Sequence, residues 1–334
     1  MNLSKITSNY TAPSNENWSG RHSNVQNPRQ YWHESVSLID LREAVIRLPE
    51  IALLGYACDE GVRRNQGRVG AVLGPNAIRQ KLGKLPNHFG NHFIADAGDV
   101  FCKDGNLEKG QEYFSASISH LVKNSVFTIG LGGGHDIAYA NFNGLCDAVS
   151  KKEKKKIGII NFDAHFDLRP VEKAGNSGTP FNQILNEAME KGDSVDYTVI
   201  GIQHQSNTKS LFDIAKTNGV HYFSHLDCGD TESHINAIVE KLADMIDRND
   251  YLYISIDLDG FSSAFAPGVS APSPLGFSPI FMYKMLDFLF DTKKVISCDI
   301  AELNPTFDQD GVTASLASRL VDFMVMKRLG IDWE

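Results

Sequence analysis

The chain of 334 residues predicts an α/β fold: a mainly parallel sheet with helices on both faces. Two observations lead there. Short apolar, β-branched runs alternate with amphipathic stretches along the chain, about eight of each, with no internal repeat and no linker-like segment to divide them. The apolar runs also lack the in–out polarity of a half-exposed sheet, as strands covered on both sides do. A third observation bears on function. Four of these runs end in Asp, His or Glu, and parallel connections place all strand carboxyl ends along one edge, where ligands bind.

Residues 1 to about 45 are polar and are expected to form an extended arm over the body, anchored by Trp18, Tyr31 and Trp32; residues 46–334 are expected to form one catalytic domain. Ile51 to Ala57 is the first buried strand. A loop rich in Gly and Arg follows from Asp59, and Pro75, suited to a first helical turn, opens a helix ending at about Leu82. A strand is expected over His92 to Ala97 and a helix over Leu107 to Val122. The strand Ser125 to Leu131 runs into Gly132-Gly-Gly-His-Asp136, where the glycines permit close backbone approach. This run matches neither a phosphate-binding loop nor a dinucleotide fingerprint. His135 there, taken alone, reads as readily as a helix cap as a ligand. A helix over Ile137 to Ala148 and the charge run Lys151 to Lys156, read as a solvated connection, lead to the strand Ile157 to Phe162. Beyond a Gly/Ser/Thr/Asn loop, a helix spans Phe181 to Lys191. Strands then cover Tyr197 to Gln203 and Val220 to Phe223. A helix over His234 to Arg248 shows a core face of Ile235, Ile238, Val239, Leu242 and Ile246. Tyr251 to Asp257 is a strand, Phe261 to Gly276 a long loop and Phe281 to Phe290 a helix. The last strand is Val295 to Glu302, and a helix from about Thr313 to Leu329 ends the fold.

Composition narrows the class. A net charge of -9 disfavours nucleic acid or an anionic membrane as partner. The five cysteines show neither zinc-ribbon nor redox spacing and are expected to be small buried thiols in a reducing compartment. The amino terminus lacks a secretory pattern and no apolar run is long enough to span a membrane, so a cytoplasmic setting is expected.

The central run is Asp163-Ala-His165-Phe-Asp167. If the backbone stays extended, its three polar side chains project to one side. Two carboxylates and an imidazole crowded there repel or lose solvation unless a cation lies between them, and an oxygen and nitrogen donor set suits Mn2+ or Zn2+. Asp257 and Asp259 repeat the pattern one strand later, and His135 and Glu302 stand at two more strand ends. Two imidazoles and four aspartates exceed the needs of one ion. Two ions bridged by Asp163 and Asp257 account for them, with His135 and Asp167 completing one and His165 and Asp259 the other. Water between such ions loses a proton near neutral pH, so metal-assisted hydrolysis is expected; these residues alone leave phosphoester, amide and amidine substrates open.

Gly132-Gly-Gly-His135-Asp136, Asp163-Ala-His165-Phe-Asp167, Ser255-Ile-Asp257-Leu-Asp259 and Asp299-Ile-Ala-Glu302-Leu-Asn-Pro305 resemble, in order, the signature blocks of the arginase/agmatinase (ureohydrolase) family. The resemblance covers residues 51–330. It implies a three-layer α/β/α fold with a central eight-stranded parallel sheet, two Mn2+ ions per subunit and hydrolysis of a guanidino or amidino C–N bond by a metal-bridging hydroxide. It also implies the ligand set above, a hydrogen bond from that hydroxide to Asp167, and Glu302 as the partner of the substrate's cationic amidinium. Members often form trimers or hexamers, so a homo-oligomer is expected. Two departures bear on substrate. Ser177 stands where arginases place a His assigned to proton shuttling, and Gln203 to Asn207 offers none of the acids that hold an α-amino group. With Arg169, Arg63, Arg64, Asn176 and Ser177 as expected substrate contacts, the chain looks most like members acting on a carboxylate-bearing amidine, a chemistry of histidine degradation. A guanidino hydrolase is the alternative, and a catalytically silent metal-binding scaffold the remaining one.

Overall fold

The computed structural model describes residues 8–43, 47–149 and 155–332. A single sheet dominates it, with spatial order β1-β4-β3-β5-β10-β9-β6-β7-β8 and β2 also on β4. Its eight main strands are β3 (Ile51–Ala57), β4 (Ile94–Phe101), β5 (Phe127–Gly132), β6 (Ile157–Phe162), β7 (Tyr197–Ile202), β8 (His221–Ser224), β9 (Tyr251–Asp257) and β10 (Val295–Ala301). All pair in parallel. Two short strands raise the total to ten. The antiparallel β1 (Tyr10–Thr11) and the parallel β2 (Ser37–Leu38) both lie on the outer side of β4. Two-residue strands carry no readable periodicity, so the sequence predicts eight.

Alternation along the strands divides the core. Leu53, Ile160 and Ile254 face one layer, and Leu54, Ile159 and Tyr253 the other. The first layer holds α3 (Gly74–Leu82), α8 (Glu232–Arg248), α9 (Pro279–Asp291) and α10 (Val312–Leu329). The second holds α4 (Leu107–Lys123), α5 (Ile137–Ala148), α6 (Pro180–Glu190) and α7 (Lys209–Thr217). This is a three-layer α/β/α architecture. The sequence reading places no helix at α7, nor at α2 (Glu60–Arg64), a single turn inside the Gly/Arg segment expected as loop. β4 begins and ends later than expected.

The amino-terminal segment is tied down by two indoles. Trp18 Nε1 donates to Asp96 at 2.9 Å, and Trp32 Nε1, from the short helix α1 (Trp32–Ser35), donates to Asp322 at 2.7 Å. Asp96 also pairs with the fully buried Arg79 at 2.9 Å, and Asp99 pairs with the same guanidinium at 2.6 Å. Removing one partner of such a buried pair typically costs about 3–5 kcal/mol, so the arm docks on a charge cluster the body must keep intact. Three thiols are buried as expected, Cys58, Cys228 and Cys298. Cys102 is half-buried and Cys146 exposed, which corrects the expectation for those two. Of the expected charge run, residues 151–154 lie outside the described residues.

Candidate metal centre

The four central strands, β5, β10, β9 and β6, bring the polar strand ends together. β9 and β10 insert between β5 and β6, so consecutive segments of chain diverge there and leave a crevice at the carboxyl edge. His135 follows β5, the run 163–167 follows β6, Asp257 ends β9, and Glu302 follows β10.

Local backbone chemistry aims each side chain. Gly133 donates its amide to the Tyr56 carbonyl at 2.9 Å, and a Cβ there would lie 1.9 Å from the Cys58 oxygen, so only glycine lets β5 turn this close to β3. The run 163–167 is not extended, contrary to the sequence expectation. It bends at Ala164 and His165, and Asp167 has φ 49°, in the left-handed region. Glu302 has φ 67°. Two non-glycine residues in this sparsely populated region, both at the crevice, mark places where surrounding contacts override backbone preference. Asn207 supplies such contacts: it accepts from the Phe166 amide at 3.0 Å and donates to the Ala164 carbonyl at 2.8 Å.

The ligand atoms form two groups sharing one carboxylate. His135 Nδ1 lies 3.1 Å from Asp163, 2.9 Å from Asp167 and 3.1 Å from Asp257. His165 Nδ1 lies 3.5 Å from the other Asp163 oxygen and 3.2 Å from Asp259. Asp163 thus faces both groups. Asp257 stands in the first, and its second oxygen accepts from the Asp259 amide at 2.8 Å.

The protonation pattern tests whether a cation fits. His135 Nε2 lies 2.9 Å from the Ser255 hydroxyl, which donates to Asp299 at 2.6 Å. With its proton so committed, Ser255 can only accept, so Nε2 carries the imidazole hydrogen. The Nδ1 lone pair of the neutral ring then points among three carboxylate oxygens, buried and with no hydrogen-bond partner; one oxygen of Asp259 is orphaned likewise. Lone pairs converging without protons suit a divalent ion. Without one, the group must take up protons. Burial opposes charge on His135 and His165, yet the aspartates hold both imidazoles well above their ordinary pKa. Burial also opposes ionisation of Asp163, but the two imidazoles draw it below the usual range. Asp167 is pushed up to about 6 by burial and by Asp163. Metal uptake therefore expels protons and strengthens as pH rises.

Tyr253 and Asn141 also donate to Asp299, the latter at 2.7 Å, completing a relay that begins at His135. Ser255→Ala is expected to free the ring and weaken metal binding about 10–100-fold, with activity restored by excess metal. Metal titration of the variant measures this, and an unaltered affinity would remove Ser255 from the relay.

Around the crevice, the expected substrate contacts separate into committed and free groups. Arg64 is a staple: it binds Glu60 at 2.9 Å, Glu108 at 2.6 Å and the Gly175 carbonyl at 3.1 Å. Arg63 is paired with Glu60 at 2.5 Å. Asn176 spends its side chain on the Gly178 amide at 2.9 Å, and Ser177 accepts from Asn65 at 3.1 Å. Arg169 is different: its side chain is exposed, lies against Gly178 beside Asn65, and makes no hydrogen bond or ion pair among the described residues. Gln203 binds Leu275 and Ser273, fastening the long loop 261–276 to the end of β7. Asn65, Asn207 and Asp299 support groups at the crevice, and the sequence reading assigns them no role. Asp299 opens the run Asp299 to Pro305 and Asn207 ends the run Gln203 to Asn207, but neither position announces its hydrogen bonds, and nothing local marks Asn65. Glu302 is buried, accepts from the His135 amide at 2.9 Å, and is pushed up to about 8 by burial and by Asp259.

The fold and this cluster define a metal-binding α/β protein with its site at the sheet's carboxyl edge. Comparison with known proteins takes the definition further. The arginase family model matches residues 49–326, and the chain belongs to the arginase family. It is 38% identical over 324 residues to a formimidoylglutamase of Clostridium tetani, covering 94% of each chain. It is 39% identical over 316 residues to one of Legionella pneumophila, covering 94% of this chain and 96% of that one. Among solved structures, a Trypanosoma cruzi formiminoglutamase determined with Mn2+ superposes with a TM-score of 0.73 at 26% identity, covering 86% of this chain and 97% of that one.

Proposed function

We propose that the chain hydrolyses N-formimidoyl-L-glutamate to L-glutamate and formamide, using two Mn2+ ions held by His135, Asp163, His165, Asp167, Asp257 and Asp259. The observation that carries the substrate assignment is Arg169, an uncommitted guanidinium two residues beyond Asp167, beside a crevice whose β7 side, Gln203 to Asn207, carries no acid. A glutamate carboxylate suits such a cation, whereas an α-amino or terminal amino group would want the missing acids. Similarity along nearly the whole chain to proteins named for this activity supports the reading.

Held by these six residues, the ions would lower the pKa of water toward neutrality and polarise the amidine. The chain's own groups do the rest. Glu302, buried and short of a cation, takes the amidinium and turns its carbon toward the metal pair. Asp167, held in the left-handed region with its carboxylate against His135, accepts a proton-bearing group at the same place. Arg169 binds substrate carboxylate, while Asn65 and Ser177 hold the loop it lies on. We place this activity in cytoplasmic histidine degradation, carried out by a homo-oligomer.

A substrate panel tests the proposal: Mn2+-loaded protein with formimidoylglutamate, agmatine, arginine and guanidinobutyrate. Preferred turnover of the first is expected. Preference for a guanidine would make the chain a guanidino hydrolase, and no turnover at all would leave a metal-binding scaffold. Arg169→Ala is expected to raise KM for formimidoylglutamate about 10–100-fold with kcat changed only a few-fold, because a binding contact distant from the reacting carbon acts equally in ground and transition states. Steady-state kinetics on the variant decide, and an unchanged KM would move carboxylate recognition away from this residue.

A further inference from the structure

We propose that the amino-terminal arm carries a separate transition-metal site, formed by His22, His33 and Glu34, that takes Zn2+. One ligand atom from each lies within 4.8 Å of the others. Two ligands on one tetrahedral zinc ion stand about 3.3–3.5 Å apart, so side-chain adjustments of roughly 1.5 Å close the set.

The case rests on how His33 is held. Its Nδ1 lies 3.0 Å from the carbonyl oxygen of Gly83, just past the end of α3. A carbonyl can only accept, so Nδ1 bears the hydrogen and Nε2 the lone pair. That Nε2 is buried and has no hydrogen-bond partner among the described residues. A ring hydrogen-bonded through one nitrogen to a backbone carbonyl, with its other nitrogen bare and screened from water, is the arrangement that orients a metal-binding histidine. Gly20 lies against the ring, and a Cβ there would come within 2.6 Å of Nδ1, so only glycine leaves His33 its place.

The other two groups are suited to complete the site. Glu34 accepts from the Ser23 amide at 2.7 Å and, with its second oxygen, from the Ser23 hydroxyl. These bonds fix the carboxylate and favour its charged form, leaving further lone pairs for an ion. His22 makes no hydrogen bond or ion pair among the described residues, and its ring meets that of His33 edge-on at 5.7 Å. Two imidazoles and one carboxylate are a donor set zinc accepts with its fourth position open to water. The site lies at the far end of α3 from the crevice: the first residue of that helix, Gly74, packs on Gly132 and Leu303 at the sheet's carboxyl edge, whereas His33 is bound just past its last. An ion there would cross-link the arm to α1 and, through Gly83, to the body.

The experiment is zinc binding by full-length protein without a histidine tag, read as metal per chain after gel filtration. Protein already loaded with Mn2+ is expected to retain one further Zn2+ per chain. His22→Ala, an exposed change that leaves the core untouched, is expected to weaken that binding by at least about tenfold. An Asp163→Ala background, stripped of the ions at the sheet edge, isolates the arm site and is expected to keep it. If Asp163→Ala protein takes no zinc, or His22→Ala protein binds it as wild type does, the arm site is overturned while the assignment at the sheet edge is untouched. Because the readout is stoichiometry and not turnover, the two readings fail separately.

Discussion

Asp163→Ala is expected to release both metal ions and to lower kcat/KM by more than about a thousandfold, equivalent to ~4 kcal/mol of transition-state stabilisation. The magnitude follows from its place between the two imidazoles. One oxygen lies 3.1 Å from His135 and the other 3.5 Å from His165, and the side chain is wholly buried. Asn161 donates to it at 3.0 Å and the His165 amide at 2.7 Å, so both oxygens are oriented before any metal arrives. No neighbouring group can replace it without moving these bonds. Asp257→Ala makes the informative comparison. The sequence treats Asp257 as the second bridge; in the structure it stands in the His135 group, its Oδ2 3.1 Å from His135 and its Oδ1 accepting from the Asp259 amide. Asp257→Ala is therefore expected to empty the His135 position more completely than the His165 position. Metal analysis of both variants decides: Asp163→Ala protein that still holds a full ion at either position would refute the shared role.

The second large effect is expected at Glu302. Glu302→Gln should reduce kcat/KM about 100-fold while metal content stays at the wild-type level. The glutamine oxygen can still accept from the His135 amide, so the local backbone has no reason to move; what disappears is the negative charge. A hydrogen bond to a charged partner contributes about 1.5–3 kcal/mol, which sets the scale. Burial and Asp259 push the Glu302 pKa up to about 8, so near neutral pH in the free protein this carboxyl is largely protonated, and a substrate cation draws it into the charged form. Parallel loss of metal would instead make Glu302 a support for His135. Unchanged kinetics would remove it from substrate binding altogether.

Much of this arrangement is legible in the chain because parallel strands convert sequence position into spatial position. An apolar run ending in Asp, as at Phe162-Asp163 or Ile256-Asp257, places that Asp at the carboxyl edge with no further information. What stays hidden has other physical origins. Asp167 and Glu302 adopt left-handed backbone because remote contacts impose it, and propensity predicts the opposite. The Ser255–Asp299 relay joins β9 to β10 across the sheet, a pairing no local pattern reveals. Arg63 and Arg64 look like substrate cations until Glu60 and Glu108 are seen beside them. Arg169 stands out by the lack of such partners among the described residues.

The two short strands of the arm have a consequence for handling the protein. β2 covers β4 at Ala95 and Asp96, β1 covers it at Val100 and Asp99, and the positive-φ Gly98 breaks the edge between them. Without these few residues, eight residues of β4 would offer unpaired amides and carbonyls to any passing strand. At the opposite margin the sheet ends on the four-residue β8, too short to be an effective template. Proteolysis or truncation within the first forty or so residues would therefore leave the metal ligands in place and still endanger the preparation, by turning a guarded margin into a seed for aggregation.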